Sequence, residues 1–392
     1  MIRVVTAAAV CATGCLSTPA YAPETAVSYT DSGSGGIAAG PGFALRFADG
    51  AGFHLPDSLT IDGVEVMGQA APDGCADESE LGTLISPTPR ISAHGGAPPV
   101  MNRLTPVLRG PAVVQVSLAW ATSFSCSSAR TPGGTATFTV FPDGRIVRHD
   151  TLVDTSSADV DGSMCACDAR GVPLFTVSTF WTVARDKFRA LYTPGQGALP
   201  MSGGPVITNL ESSCIDGGAF QLALGWHDPK GMSDTRGTTI RGGSTVIAFG
   251  RDLFVGESVL ASLMWQSSSA LAIGHTGCAA AAVRASEHSQ PSKLSINGAS
   301  TLPSFRDGIY GGDGGDGQPG LALATARVVV QGAVSGSFAV WLRFPRTVDT
   351  VRATREGASG PWYLPQRVDD RSWIIWFRDG MSAAQQISIE PI

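Results

Sequence analysis

Residues 135–153 read TATFTVFPDGRIVRHDTLV, and the way this stretch folds decides the class of the whole chain. Thr135-Ala136-Thr137-Phe138-Thr139-Val140-Phe141 alternates small polar with apolar residues, the period of a strand with one buried face. Pro142-Asp143-Gly144 then supplies turn chemistry, because proline fixes φ and glycine takes a positive φ without steric cost. Arg145-Ile146-Val147-Arg148-His149-Asp150-Thr151-Leu152-Val153 returns with β-branched residues at the pleats, so the segment predicts a β-hairpin. His149 and Asp150 look like a catalytic pair, but neighbouring strand residues point to opposite faces and cannot share one site.

The same signals recur outward from this hairpin. Strands are expected at Val113 to Trp120, Gln221 to Trp226 and Ser244 to Phe249, and again at Thr325 to Val330, Ser337 to Phe344, Ser372 to Phe377 and Gln386 to Glu390. Trp373-Ile374-Ile375-Trp376-Phe377 is apolar at every position, which predicts an inner strand buried on both faces. Helical periodicity is confined to Arg185 to Tyr192 and Ala279 to His288. With 392 residues, the chain exceeds the ~250–300 at which single cores stop growing. The expected fold is all-β: a large antiparallel β-sandwich over 43–290 followed by a smaller C-terminal β-sandwich over 304–392. The polar stretch Ser286 to Pro303, which lacks aromatics, is the expected boundary. Residues 23–42, which include the run Asp31-Ser32-Gly33-Ser34-Gly35-Gly36, read as a flexible tether.

The amino terminus, MIRVVTAAAVCATGCLSTPAYA, has one early cation and then a short apolar run, the two parts of an export signal over 1–22. Two cuts compete. Ala20-Tyr21-Ala22 has the small-x-small pattern, but Pro23 would follow the scissile bond. Ala12-Thr13-Gly14-Cys15 resembles the lipobox of bacterial exported lipoproteins, and the apolar run ends where that cut requires. The resemblance implies acylation of Cys15 and a protein at the outer surface or in the periplasm, lipid-anchored or, with the other cut, secreted. Eight cysteines are present; beyond Cys11 and Cys15 these are Cys75, Cys126, Cys165, Cys167, Cys214 and Cys278, an even set that reads as disulfides in an exported chain. The pairing is open.

A formal charge of −6, with arginines scattered rather than in a basic stripe, argues against a nucleic-acid partner. No later apolar run approaches the ~20 residues of a membrane-spanning helix, so membrane contact is expected only through a lipid on Cys15.

Five segments carry candidate chemistry. Ser202-Gly203-Gly204-Pro205-Val206 resembles the nucleophile loop of chymotrypsin-like proteases, and Ile91-Ser92-Ala93-His94 their histidine segment. The position two before the serine, whose N–H would complete the oxyanion hole, is Pro200, and Met201 replaces the family's aspartate. Proline has no N–H, so the stretch reads as a turn between strands. Gly311-Gly312-Asp313-Gly314-Gly315-Asp316-Gly317-Gln318 resembles one copy of the calcium repeat of RTX proteins. Asp313 and Asp316, with Asp307 nearby, are candidate ligands for calcium, the one cofactor the sequence suggests. Trp226-His227-Asp228-Pro229-Lys230 puts a base and an acid at a strand end, which makes His227 and Asp228 the catalytic candidates. In Gly360-Pro361-Trp362-Tyr363, turn residues flank Trp362 and Tyr363, which are expected to be exposed rings of the kind that stack on sugar faces.

The leading expectation is an exported binding protein with a glycan as its ligand. Phe141-Pro142-Asp143-Gly144-Arg145 resembles strand pairs in the large sandwich modules of carbohydrate-active enzymes, which keeps a polysaccharide lyase or hydrolase as the alternative; a structural component of the cell surface is the third.

Overall fold

The computed structural model describes residues 25–33, 35–48, 56, 58–67, 90–92, 100–121, 133–153, 175–193, 197–200, 206–210, 212–227, 238–242, 246–255, 264–311, 327–358 and 362–392. The fold is all-β and sandwich-like, with several antiparallel sheets.

The opening hairpin sits at its centre. Gly133–Val140 pairs with Arg145–Val153, Ile146 opposite Val140. Gly144 takes φ 78° and its N–H donates to the Phe141 carbonyl at 3.1 Å. Both strands belong to a nine-stranded sheet in which Arg145–Val153 also pairs with Met264–Gly274. Alternation gives this sheet two apolar faces. Val114, Val116, Phe138, Ile146, Leu222, Leu224 and Leu271 face one core, while Val113, Phe141, Val147 and Ala270 face another.

The first core is closed by two further sheets side by side. One contains Trp181 in Phe175–Ala184, and its ring meets Phe138 edge-on at 6.0 Å. The other is the N-terminal sheet, Ser28–Asp31 through Val64–Glu65, contributing Leu45, Phe47, Leu59 and Ile61. Residues 35–40, read as part of a tether, are a strand of that sheet. Glycine serves close packing here rather than flexibility, because a Cβ on Gly36 would strike the Tyr29 ring and one on Gly40 the Phe43 ring. The N-terminal sheet thus begins at Ser28, ahead of residue 43.

On the opposite face lies the α-helix Cys278–Ser289, close to the expected Ala279 to His288. It rests on small residues: Ala281 and Ala285 pack on Ala223 and Ala272, and a Cβ on Gly225 would collide with the Ala285 carbonyl. Cys214 and Cys278 form a disulfide that fixes the start of the helix to the sheet. The other expected helix is absent. Arg185–Lys187 is a single 3-10 turn, and Ala190–Thr193 is a strand against Ser212–Asp216. Phe188 and Phe220 bury their rings together beneath that turn, 5.7 Å apart.

The C-terminal lobe is a sandwich of a five-stranded sheet (Ala299–Thr301, Leu294–Ile296, Val328–Gly332, Gln386–Pro391, Val351–Arg355 in spatial order) and a three-stranded sheet (Phe338–Arg343, Ser372–Phe377, Tyr363–Arg367). It therefore starts by Leu294, ahead of residue 304. The fully apolar run behaves as expected, and the layering explains why. Trp373, Ile375 and Phe377 face the five-stranded sheet, whereas Ile374 and Trp376 face Phe141, Val147 and Ala270 of the nine-stranded sheet. The three-stranded sheet is an inner layer shared by two cores. Polar contacts seal the same junction. Gln366 Oε1 accepts from the Ala112 and Val113 N–H groups at 3.0 and 2.8 Å, and Asp143 of the central turn takes a hydrogen bond from the Ser337 hydroxyl.

Candidate functional site

One face of the C-terminal five-stranded sheet is turned away from both cores. In Gln386–Pro391, Ile387 and Ile389 point inward and leave Gln386, Ser388 and Glu390 on the outside; in Val351–Arg355, Val351 and Ala353 point inward and leave Arg352 and Thr354 outside. The register sets Thr354 and Val329 beside Ser388. Period-two alternation thus sets polar side chains side by side on two strands, Thr354 next to Ser388, with Val329 on the third. Arg327, Thr354, Arg355, Glu356, Ala384, Gln385, Gln386 and Ser388 line a groove of about 710 Å³ there.

Two arginines give the groove its character. Arg327 holds its Nε and Nη2 on Ser388 Oγ at 3.1 and 2.5 Å, with Glu390 Oε1 3.8 Å away. Arg355 is fixed more firmly. Its Nη1 donates to the Gly380 carbonyl at 3.1 Å, Nη2 lies 3.6 Å from Asp379 Oδ2, and the guanidinium lies over the Trp362 ring at 4.8 Å. Only 9% of the Arg355 side chain is exposed, and its buried Nε–H has no acceptor among the described residues. Arg327 is thus the exposed planar donor group of the groove, with amide and hydroxyl groups beside it, while the Arg355 guanidinium is committed to Gly380, Asp379 and Trp362.

Trp362 enters this arrangement in a different role from the one expected. Trp362 and Tyr363 are each 7% exposed, and Trp362 stacks on Phe377 with centroids 5.5 Å apart. Neither can present a free ring face to a sugar. The glycine-proline approach suggested an exposed loop, but Tyr363 opens a strand and both rings enter the lobe's core. Trp362 supports Arg355 from behind.

The remaining candidates do not converge with the groove or with one another. Asp307 is buried in the turn before Ile309 and accepts its N–H at 2.9 Å, a local turn contact rather than an open calcium position. Asp313 and Asp316 lie outside the described residues. Among the described residues no group of three or more His, Cys, Asp or Glu side chains could hold a metal. His227 ends the strand Gln221–His227 opposite Ser268, while Asp228 falls outside the described residues, as do Ser202, His94, Cys15, Cys75, Cys126, Cys165 and Cys167. Pro200 closes the strand Gly197–Pro200 opposite Ala190.

His149 and Asp150 do point to opposite faces. His149 meets the Phe305 ring at 5.3 Å, while Asp150 turns into the first core and pairs with Arg148, Nε to Oδ2 at 2.9 Å. Both partners of that ion pair are essentially fully buried. Burial pulls the Arg148 guanidinium below its usual range, and the Asp150 charge opposes that shift. The i, i+2 spacing of Arg148 and Asp150 was the available signal for this pair.

Sequence reading did not find Arg327, Thr354, Arg355, Gln385, Gln386 or Ser388. The alternation of Val351–Arg355 and Gln386–Pro391 marked which of these residues face outward, but their grouping depends on which strands pair.

No protein-family description matches the sequence, and no curated protein is significantly similar to it. Among solved structures, the chain is similar to galactose 1-epimerase from Lactobacillus acidophilus, with a TM-score of 0.35 and 9% identity over 64% of this chain and 98% of that one. It is also similar to heparan sulfate lyase HepC from Pedobacter heparinus, with a TM-score of 0.34 and 11% identity over 71% of this chain. A heparinase III gives a TM-score of 0.32 at 8% identity. The chain spans 40% of the length of the HepC lyase and 37% of that of the heparinase.

Proposed function

We propose that the protein is an exported glycan-binding protein whose ligand lies in the groove of the C-terminal five-stranded sheet. The observation that carries this reading is the lining itself: Arg327, Thr354, Arg355, Glu356, Gln385, Gln386 and Ser388 are polar or charged, and Ala384 alone is apolar. Clefts for drug-like molecules are of similar size, about 300–1,000 Å³, but are lined mainly by apolar side chains. A polar lining suits a ligand whose own surface is hydroxyl and acid groups. The chemistry of the lining favours binding over hydrolysis, because glycoside hydrolysis ordinarily uses two carboxyl groups flanking the bond and Glu356 is the single carboxylate of the lining.

Export and a lipid on Cys15 complete the proposal. The tethered protein would present the groove outside the membrane on a lobe clamped to the body of the molecule. A polysaccharide panel tested against the protein without residues 1–22 decides the binding part: retention on at least one polysaccharide, reduced by Arg327→Ala, is expected, and no retention on any overturns it. Metabolic labelling with a palmitate analogue decides the anchor: label in the wild type and none in Cys15→Ser is expected.

A further inference from the structure

We infer that the groove prefers neutral, hydroxyl-rich glycans to acidic ones. This rests on the reading of the groove as a glycan site and names the ligand class. The first observation is the charge balance of the lining. Arg327 Nε lies 3.8 Å from Glu390 Oε1, and Arg355 Nη2 lies 3.6 Å from Asp379 Oδ2, a carboxylate that Arg378, outside the lining, also approaches at 3.4 Å. Glu356 is exposed and has no cation within ion-pair distance among the described residues. The guanidinium groups therefore give no cationic excess, and a carboxylate or sulfate entering the groove meets like charge from Glu356 on a chain whose formal charge is already −6. The second observation is that donors and acceptors are mixed. An anionic group needs donors alone, whereas a sugar hydroxyl both gives and takes a hydrogen bond. Arg327 supplies donors, and the Glu356 carboxylate can accept from two adjacent hydroxyls. Gln386 has an amide with both functions, Gln385 keeps its NH2 group while its Oε1 accepts the Ser382 N–H at 3.0 Å, and Thr354 Oγ1, which donates to the Ser388 carbonyl at 3.5 Å, remains an acceptor. No aromatic ring lines the groove, so affinity has to come from these hydrogen bonds, each of modest strength in water. Long polymers that fill the groove are the suitable probes.

Biolayer interferometry of the protein without residues 1–22 on immobilised polymers in matched pairs tests this: dextran against dextran sulfate, hydroxyethyl cellulose against carboxymethyl cellulose, and methyl-esterified against de-esterified pectin. Binding to at least one neutral polymer is expected, tighter by about ten-fold or more than to its acidic partner. Raising sodium chloride from about 50 to about 500 mM should change the neutral affinity by less than about two-fold, since no attraction between net charges is being screened. Glu356→Gln, at an exposed position, keeps the shape but removes the charge and one acceptor oxygen. Its affinity for the neutral polymer should fall by about three-fold or more and the gap to the acidic partner should narrow, with the melting temperature unchanged. Binding to an acidic polymer as tight as or tighter than to its neutral partner would overturn the preference and leave glycan binding standing. A neutral preference that Glu356→Gln leaves untouched would overturn its assignment to this groove. Binding to none of the six polymers, and no retention on the polysaccharide panel, would overturn the preference and the glycan reading together.

Discussion

The Arg355 guanidinium lies across the Trp362 indole, its Cζ 4.8 Å from the ring centroid, and the same indole is stacked on Phe377. A buried ring is thus the back support of a groove-lining cation. Replacing Trp362 by alanine is expected to destabilise the protein by about 3–5 kcal/mol, the usual cost of removing a buried tryptophan. Trp362→Phe should cost less and retain ligand binding in part, since a smaller ring still faces the guanidinium. Urea denaturation and calorimetry on the two variants check this.

Arg148 and Asp150 form an ion pair inside the first core. Removing one partner strands the other charge, so Asp150→Ala is expected to lose about 3–5 kcal/mol. Replacing both with apolar residues, Arg148→Met with Asp150→Leu, should recover most of that loss. Chemical denaturation of the single and double variants measures the difference; a double variant as unstable as the single would show that the pair's neighbours depend on its charges.

The Cys214–Cys278 bridge closes a sequence separation of 64 residues. Chain entropy assigns a crosslink of that span about 4 kcal/mol at most, within the usual 2–4 kcal/mol for native bridges. Cys214→Ser with Cys278→Ser should therefore unfold at lower urea, and the helix Cys278–Ser289 should lose amide-exchange protection before the hairpin strands do.

Asp369 accepts backbone N–H bonds from Arg371 and Ser372 at 2.7 and 2.8 Å, and these hold its carboxyl below the ordinary value of 3.8. Folding favours the ionised form, so this contribution is fully present above pH ~4 and fades as pH falls through the lowered value. Asp369→Asn has nothing to titrate there. Its melting temperature should decline less steeply than that of the wild type between pH 4 and pH 2, as followed by circular dichroism.

The fold was legible where one strand's residues carry the whole signal. The alternation of residues 135–141, the Pro142-Asp143-Gly144 turn and the apolar run Trp373–Phe377 each encode their surroundings locally, and each forms as its pattern requires. Gly35–Gly40 misled because glycine-rich composition is shared by linkers and by strands that must admit a neighbour's ring; only the positions of Tyr29 and Phe43 separate the two cases. Trp362 misled in a similar way, since flanking proline and glycine say where the chain bends but not what covers the ring. The groove was out of reach because Ser388, Thr354 and Arg327 meet through long-range strand pairing, and alternation gives a face without giving its neighbours.

Because the strand Ser372–Phe377 serves two cores at once, the short connection from Gln290 to Lys293 is not what unites the chain's two parts. Ile374 and Trp376 are roofed by Val147 and Ala270, and Gln366 is clasped by Ala112 and Val113. A protease that nicks the backbone there would release nothing: the fragments should travel together through size exclusion and come apart only in denaturant.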